Sequence, residues 1–105
     1  MSKKCMISQP MNGLTDEQIR STRDRAIIAI NEAGYEVLNS YFPEYSIVRA
    51  DFTGVNIPVY YLANAIEVMS ECEAVYFCKG WDESRGCKIE HEIAKQYGYI
   101  CIYEE

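Results

Sequence analysis

Short apolar runs alternate with longer segments of helical period along these 105 residues, and that alternation limits the folds open to the chain more than any other feature. Residues 5–8 form a brief strand-like run, followed by the turn-forming QPMNG. A capping-box start at Thr15, with Gln18 three residues on and Asp16 and Glu17 in the first turn, then opens a helix of about five turns. Its apolar positions are Ile19, Ala26, Ile27, Ile30 and Ala33. Gly34 stands where a C-cap glycine ends a helix, and 35–38 reads as a second strand. Segment 39–58 has two prolines, a glycine and no steady period, which predicts a long loop. The spacing Val59, Leu62, Ile66, Met69 restores a helical period over 59–71. AVYFC at 74–78 is a continuous apolar run, as expected of a strand buried on both faces. After the loop KGWDESR come a helix opening near Gly86, then Gly98, then a last strand over 99–103.

Each crossover in this β-α-β-α-β-α-β order is long enough to hold a helix, so the strands are expected to run parallel. The expected architecture is a flavodoxin-like (Rossmann-like) three-layer α/β sandwich, one domain over 1–105, with about four parallel strands ordered 2-1-3-4 and helices on both faces. In that order the chain reverses direction between the first and third strands. Ligands of such sheets bind outside the carboxyl ends of those two strands.

Charge and cysteine usage narrow the function. A formal charge of −6 works against a nucleic-acid polymer as partner, because such binding sets cations against backbone phosphates. A small anion remains possible, since backbone amides at a helix N-terminus hold anions without side-chain cations. Five cysteines, an odd number with no CxxC pair and no cysteine–histidine cluster, read as buried reduced thiols and call for no metal or cofactor. The start MSKKCMIS lacks the apolar stretch of a signal peptide, and no run reaches the ~18 residues of a membrane span. The expected setting is the cytoplasm, with no membrane partner.

The two loops that meet at the switch point are QPMNG and KGWDESRG. Both lead from a strand into a helix N-terminus, so both bring free amides and a positive dipole end to one crevice. Gly13 and Gly86 allow close backbone approach, although no GxxxxGK[ST] loop is present. Ser84 is suited to cap the last helix or to donate to a phosphate or sugar hydroxyl. Trp81 suits either stacking on a base or a subunit contact, and Asp82 and Glu83 read as a solvated loop. At 100° per residue, Ile89, Ile93, Tyr97 and Ala94 span an arc of roughly 140°, and Glu90 falls inside it. His91 points away from that arc and reads as a surface residue. A carboxylate one turn into the helix leans back toward the N-terminal crevice, where, partly desolvated and ionised, it is a competent nucleophile. Glu73, at the start of the third strand, offers a second carboxylate to position a hydroxyl or carry a proton.

SRGCKIEHEIA, CEAVYFCKGW and ISQPMNG resemble the nucleoside 2-deoxyribosyltransferase-like family, in particular its small phage and bacterial branch related to the 2'-deoxynucleoside 5'-monophosphate N-hydrolases. The likeness runs over most of the chain, is weakest over 39–58, and is most specific in the spacing Ser84, Gly86, Glu90, Ala94. The resemblance implies cleavage or transfer of the N-glycosidic bond of a deoxynucleoside or its 5'-monophosphate, with Glu90 as nucleophile and a covalent deoxyribosyl-enzyme. It also implies Ser84 near the 5' end of the ligand and the Gln9-to-Gly13 loop beside sugar and phosphate. Homo-oligomers with shared sites are implied as well. The site expected on both grounds comprises Glu90 and Glu73 as catalytic groups. Its substrate contacts are Ser8, Gln9, Pro10, Met11, Asn12 and Gly13 in the first loop, with Gly80, Trp81, Ser84, Arg85 and Gly86 in the second.

Three departures from the family pattern bear on turnover. Glu73 stands where an aspartate is common, Met6 where the first strand often has a tyrosine, and Ala65 where the preceding helix usually has an aspartate, with Asn64 beside it as a candidate substitute. Two other functions compete. One is a binding protein of the same fold that holds a nucleotide or nucleotide-derived signal intact. The other is an interaction domain with no ligand, in which Glu90 is exposed or paired with a cation.

Overall fold

The structure is a computed structural model that describes residues 3–38 and 56–105. Most of the expected loop, 39–55, lies outside the described residues. Four strands and three α-helices alternate through the rest: β1 (Lys4–Ser8), α1 (Asp16–Glu32), β2 (Glu36–Leu38), α2 (Ile57–Met69), β3 (Ala74–Phe77), α3 (Arg85–Gln96) and β4 (Ile100–Tyr103). All strand pairs are parallel and their order is β2-β1-β3-β4, the flavodoxin-like arrangement.

Side chains of the central strands alternate between two cores, as the period of two in a strand requires. Met6, Val75 and Phe77 meet Ala65, Val68 and Met69 of α2 and Ala94 of α3 on one face. Cys5, Ile7, Ala74 and Tyr76 meet Ala26 and Ile30 of α1 on the other. Strand β3 is buried at every position, which is why its sequence is apolar without alternation.

Local chemistry sets the helix ends. Thr15 Oγ1 accepts from the Gln18 amide at 3.1 Å, and Gln18 Oε1 accepts from the Thr15 amide at 2.9 Å, completing the capping box. Gly34, at φ +90°, takes the left-handed conformation that closes α1. Helix α2 begins earlier than its apolar period suggests. Asn56 caps it by accepting from the Val59 amide at 3.2 Å, and Pro58 lies in its first turn. Residues 56–58, expected as loop, are therefore a helix start, because proline at the first helical positions has no amide to leave unsatisfied. Among the described residues no helix is long and apolar enough to cross a membrane.

The capping box ends the loop that follows β1, so its loss should be felt in stability. Thr15→Ala is expected to lower unfolding free energy by about 1 kcal/mol in urea titrations. A loss of only about 0.3 kcal/mol or less would mean the cap does not hold α1.

Candidate functional site

Ser8 ends β1 and pairs in register with Phe77, the last residue of β3, so both face the switch point. Its carbonyl accepts from the Cys78 amide at 2.9 Å, and 1% of its surface is exposed. The Ser8 hydroxyl donates to Oε1 of Glu90 at 2.6 Å. Glu90 is itself 9% exposed, on the buried face of α3 with Cys87 and Ala94.

That face is rotated by roughly 70° from the one the apolar pattern predicts. Ile89 is 41% and Tyr97 79% exposed, while the small side chains Cys87 and Ala94 lie against the sheet. The rotation also corrects the reading of His91. Its ring is half-buried, with its centroid 4.2 Å from Trp81 and 4.9 Å from Phe77, and its Nε2 lies 2.7 Å from the Tyr103 hydroxyl. Burial and the Lys95 charge push its pKa below the ordinary histidine value.

Burial is the stronger of two opposed effects on Glu90. Desolvation pushes its carboxyl up to about 7, against the Ser8 hydroxyl, which favours the ionised form. The ion pair recorded among the described residues joins Arg25 to Glu104 and does not involve Glu90. A carboxylate neither exposed nor matched by a cation among the described residues is not what a ligand-free interaction domain requires. Desolvation also raises Cys87, and the nearby Ser8 and Ser84 hydroxyls oppose that rise. Cys5 and Cys78 are pushed up to about 12 and Cys72 to about 11 by burial, so these are protonated core thiols.

The two loops approach each other beside this pair. Pro10 packs against Gly80, where a Cβ would sit 3.4 Å from the proline Cγ. Gly80, at φ +88°, turns the chain into a single 3-10 turn over Trp81–Glu83. Ser84 then caps α3, its hydroxyl accepting from the Cys87 amide at 3.4 Å. Arg85 is exposed at the first turn, and a Cβ at Gly86 would meet nothing within 4 Å. Met11, Asn12 and Gly13 form an exposed turn closed by the Leu14 amide on the Met11 carbonyl at 3.2 Å.

Three expected site residues have other roles. Gln9 is buried and its Nε2 donates to the Ile19 carbonyl at 3.0 Å, tying the loop to α1. The Trp81 ring packs over Phe77, His91 and Tyr103, on the β4 side of β3, while Ser8 lies on the β1 side. Glu73 is not brought to the site. It precedes β3 at the sheet's opposite end, with its amide on the Lys4 carbonyl at 2.9 Å, and is exposed. Four residues of parallel strand, about 13 Å, separate it from the level of Ser8. Met6 and Ala65 are both buried in the apolar core. Sequence reasoning missed Cys87 as a neighbour of the site, although its spacing of three from Glu90 was a usable signal. Asn64, noted beside Ala65 in the sequence, has a buried Nδ2 with no hydrogen-bond partner among the described residues.

Fold and site together define a small doubly wound α/β protein with a buried, hydroxyl-bonded carboxylate at its switch point. The chain belongs to the DUF4406 family, described as a domain of unknown function, whose profile matches residues 3–103. No curated protein and no solved structure matches it.

The raised Glu90 carboxyl has a stability signature of known sign. Its folded pKa lies above the unfolded value, so folding is favoured most at low pH and loses stability as pH rises from the ordinary carboxylate range through about 7. The loss is about 3 kcal/mol by linkage. Glu90→Gln should therefore remove that slope and be the more stable protein above pH 7, in paired urea titrations at pH 5 and pH 8. Parallel slopes for the two proteins would mean that Glu90 titrates as an ordinary surface carboxylate.

Proposed function

We propose that the crevice between the carboxyl ends of β1 and β3 takes a 2'-deoxynucleoside or its 5'-monophosphate, and that Glu90 attacks its anomeric carbon. The observation that carries this reading is the buried Glu90 carboxylate, held by Ser8 at 2.6 Å where two strand-to-helix loops converge. Support also comes from the likeness of Ser84, Gly86, Glu90 and Ala94 to the nucleoside 2-deoxyribosyltransferase-like pattern. In the first step, an oxygen of ionised Glu90 bonds to C1', the C1'–N bond breaks, and the base leaves with the electron pair and takes up a proton. In the second, water or another base bonds to C1', the Glu90–C1' bond breaks, and the attacking group gives up its proton. Ser84, at the N-terminus of α3, is placed by this reading at the 5' end of the ligand, with amides rather than side-chain cations facing a phosphate. The reading includes no metal or cofactor, no polymer and no membrane. It takes a reducing cytoplasm, in keeping with five free cysteines, and a homo-oligomer with shared sites.

One set of observations favours a second reading, in which a nucleotide or nucleotide-derived signal is bound and left intact. Glu73 lies at the far end of the sheet, and Met6 and Ala65 are apolar core residues. No second carboxylate among the described residues acts on Glu90. Departure of the base then relies on water or on the base's own protonation.

Incubation with the four deoxynucleoside monophosphates separates the readings. The first expects free base, at a rate that rises with pH through about 7 as Glu90 ionises. Glu90→Gln should lower that rate roughly a thousandfold or more. Ligand retained and recovered intact selects the second reading, and release of base unchanged by Glu90→Gln sinks the first.

A further inference from the structure

We propose that Ser8 is the positioning residue of this site: its hydroxyl pins Oε1 of Glu90 and leaves Oε2 as the oxygen that reacts. The inference rests on the reading of Glu90 as nucleophile and gives Ser8 a role different from the substrate contact expected of it.

Four observations carry it. Ser8 has 1% of its surface exposed, so its hydroxyl offers no area to a ligand. The hydroxyl's one proton goes to Glu90 Oε1 at 2.6 Å, the length of a charge-assisted O–H···O⁻ bond. Ser8 itself is held by the sheet, since it ends β1 in register with Phe77 of β3 and its carbonyl accepts from the Cys78 amide. The donor is therefore set by the sheet and not by either loop. Finally, Oε2 has no hydrogen-bond donor among the described residues, while Glu90 keeps a small exposed area.

Pinning one oxygen has a chemical consequence at each step. When Oε2 bonds to C1', Oε1 becomes the ester carbonyl and accepts more weakly from Ser8. When the ester breaks, negative charge returns to a carboxylate whose donor is already in place, which favours its departure. The hydroxyl also holds the carboxylate plane, so that Oε2 keeps one direction toward the crevice and does not exchange with Oε1 by rotation.

No charged side chain of the described elements acts on Glu90, and the titratable neighbour that senses it is Cys87, on its own helix. A shift in Glu90 titration is thus a clean readout of Ser8. The experiment compares parent, Ser8→Ala and Ser8→Thr proteins carrying 13C at the glutamate carboxyls, with the Glu90 signal assigned by its loss in Glu90→Gln. Ser8→Ala should raise the Glu90 midpoint by about one pH unit, which leaves a roughly fivefold smaller ionised fraction at pH 7. Ser8→Thr, which keeps the hydroxyl, should return the midpoint to the parent value. In the deoxynucleoside monophosphate assay, Ser8→Ala should lower kcat with KM unchanged. An unmoved Glu90 midpoint in Ser8→Ala overturns the proposal, and so does a raised KM at constant kcat, which would make Ser8 a substrate contact. Should Ser8→Thr not fold, as judged by circular dichroism, the Ser8→Ala midpoint decides alone. Absence of base release from every variant would sink the glycosidic reading, while the titration would still report whether Ser8 holds Glu90.

Discussion

A single hydroxyl-to-carboxylate bond joins the end of the central strand β1 to the middle of α3, and the arrangement around it follows from the cost of burying that carboxylate. Glu90 is 9% exposed with no cation acting on it among the described residues, so desolvation works against its charge and the Ser8 hydroxyl offsets only part of the penalty. An exposed position on the same helix, such as that of Glu92, carries no such cost. A fold that keeps a carboxylate at the buried position leaves it divided between its ionised and neutral forms near pH 7.

The sheet makes that position possible. Parallel order β2-β1-β3-β4 leaves a gap beyond β1 and β3, because the chain continues from them on opposite sides. Both loops at the gap end in capped helices, α1 through Thr15 and α3 through Ser84. Pro10 and Gly80 hold the loops together at their base, and Gln9 anchors the first of them to α1. The loops therefore act as a frame, with exposed positions at Met11, Asn12, Gly13 and Arg85 around the buried pair.

Much of this was legible in the sequence, and the reasons differ by element. Strand β3 was legible from AVYF because a strand buried on both faces needs no alternation. Helix α1 was legible from its capping box and from Gly34. The inward placement of Glu90 was legible although the wheel that located it was turned by roughly 70°, since the carboxylate lies near the boundary shared by both arcs. His91 was misplaced for the same reason. Ile89 and Ile93 weigh heavily in a hydrophobic pattern, but shape decided the packing, and Cys87 and Ala94 let the helix approach the sheet. Glu73 was misassigned because neighbours in sequence at the start of a strand lie a strand's length from its end. Ser8 was expected as a ligand contact, since sequence places it at the switch point without saying which face of β1 its hydroxyl takes or what it meets there.

Covalent attack by the buried Glu90 carboxylate is detected most directly by mass spectrometry of the protein quenched in acid during incubation with a deoxynucleoside monophosphate. A deoxyribosyl-phosphate adduct is expected on the peptide that contains Glu90, absent from Glu90→Gln. An unmodified Glu90 peptide while free base accumulates, or an adduct on any other residue, would contradict attack by Glu90.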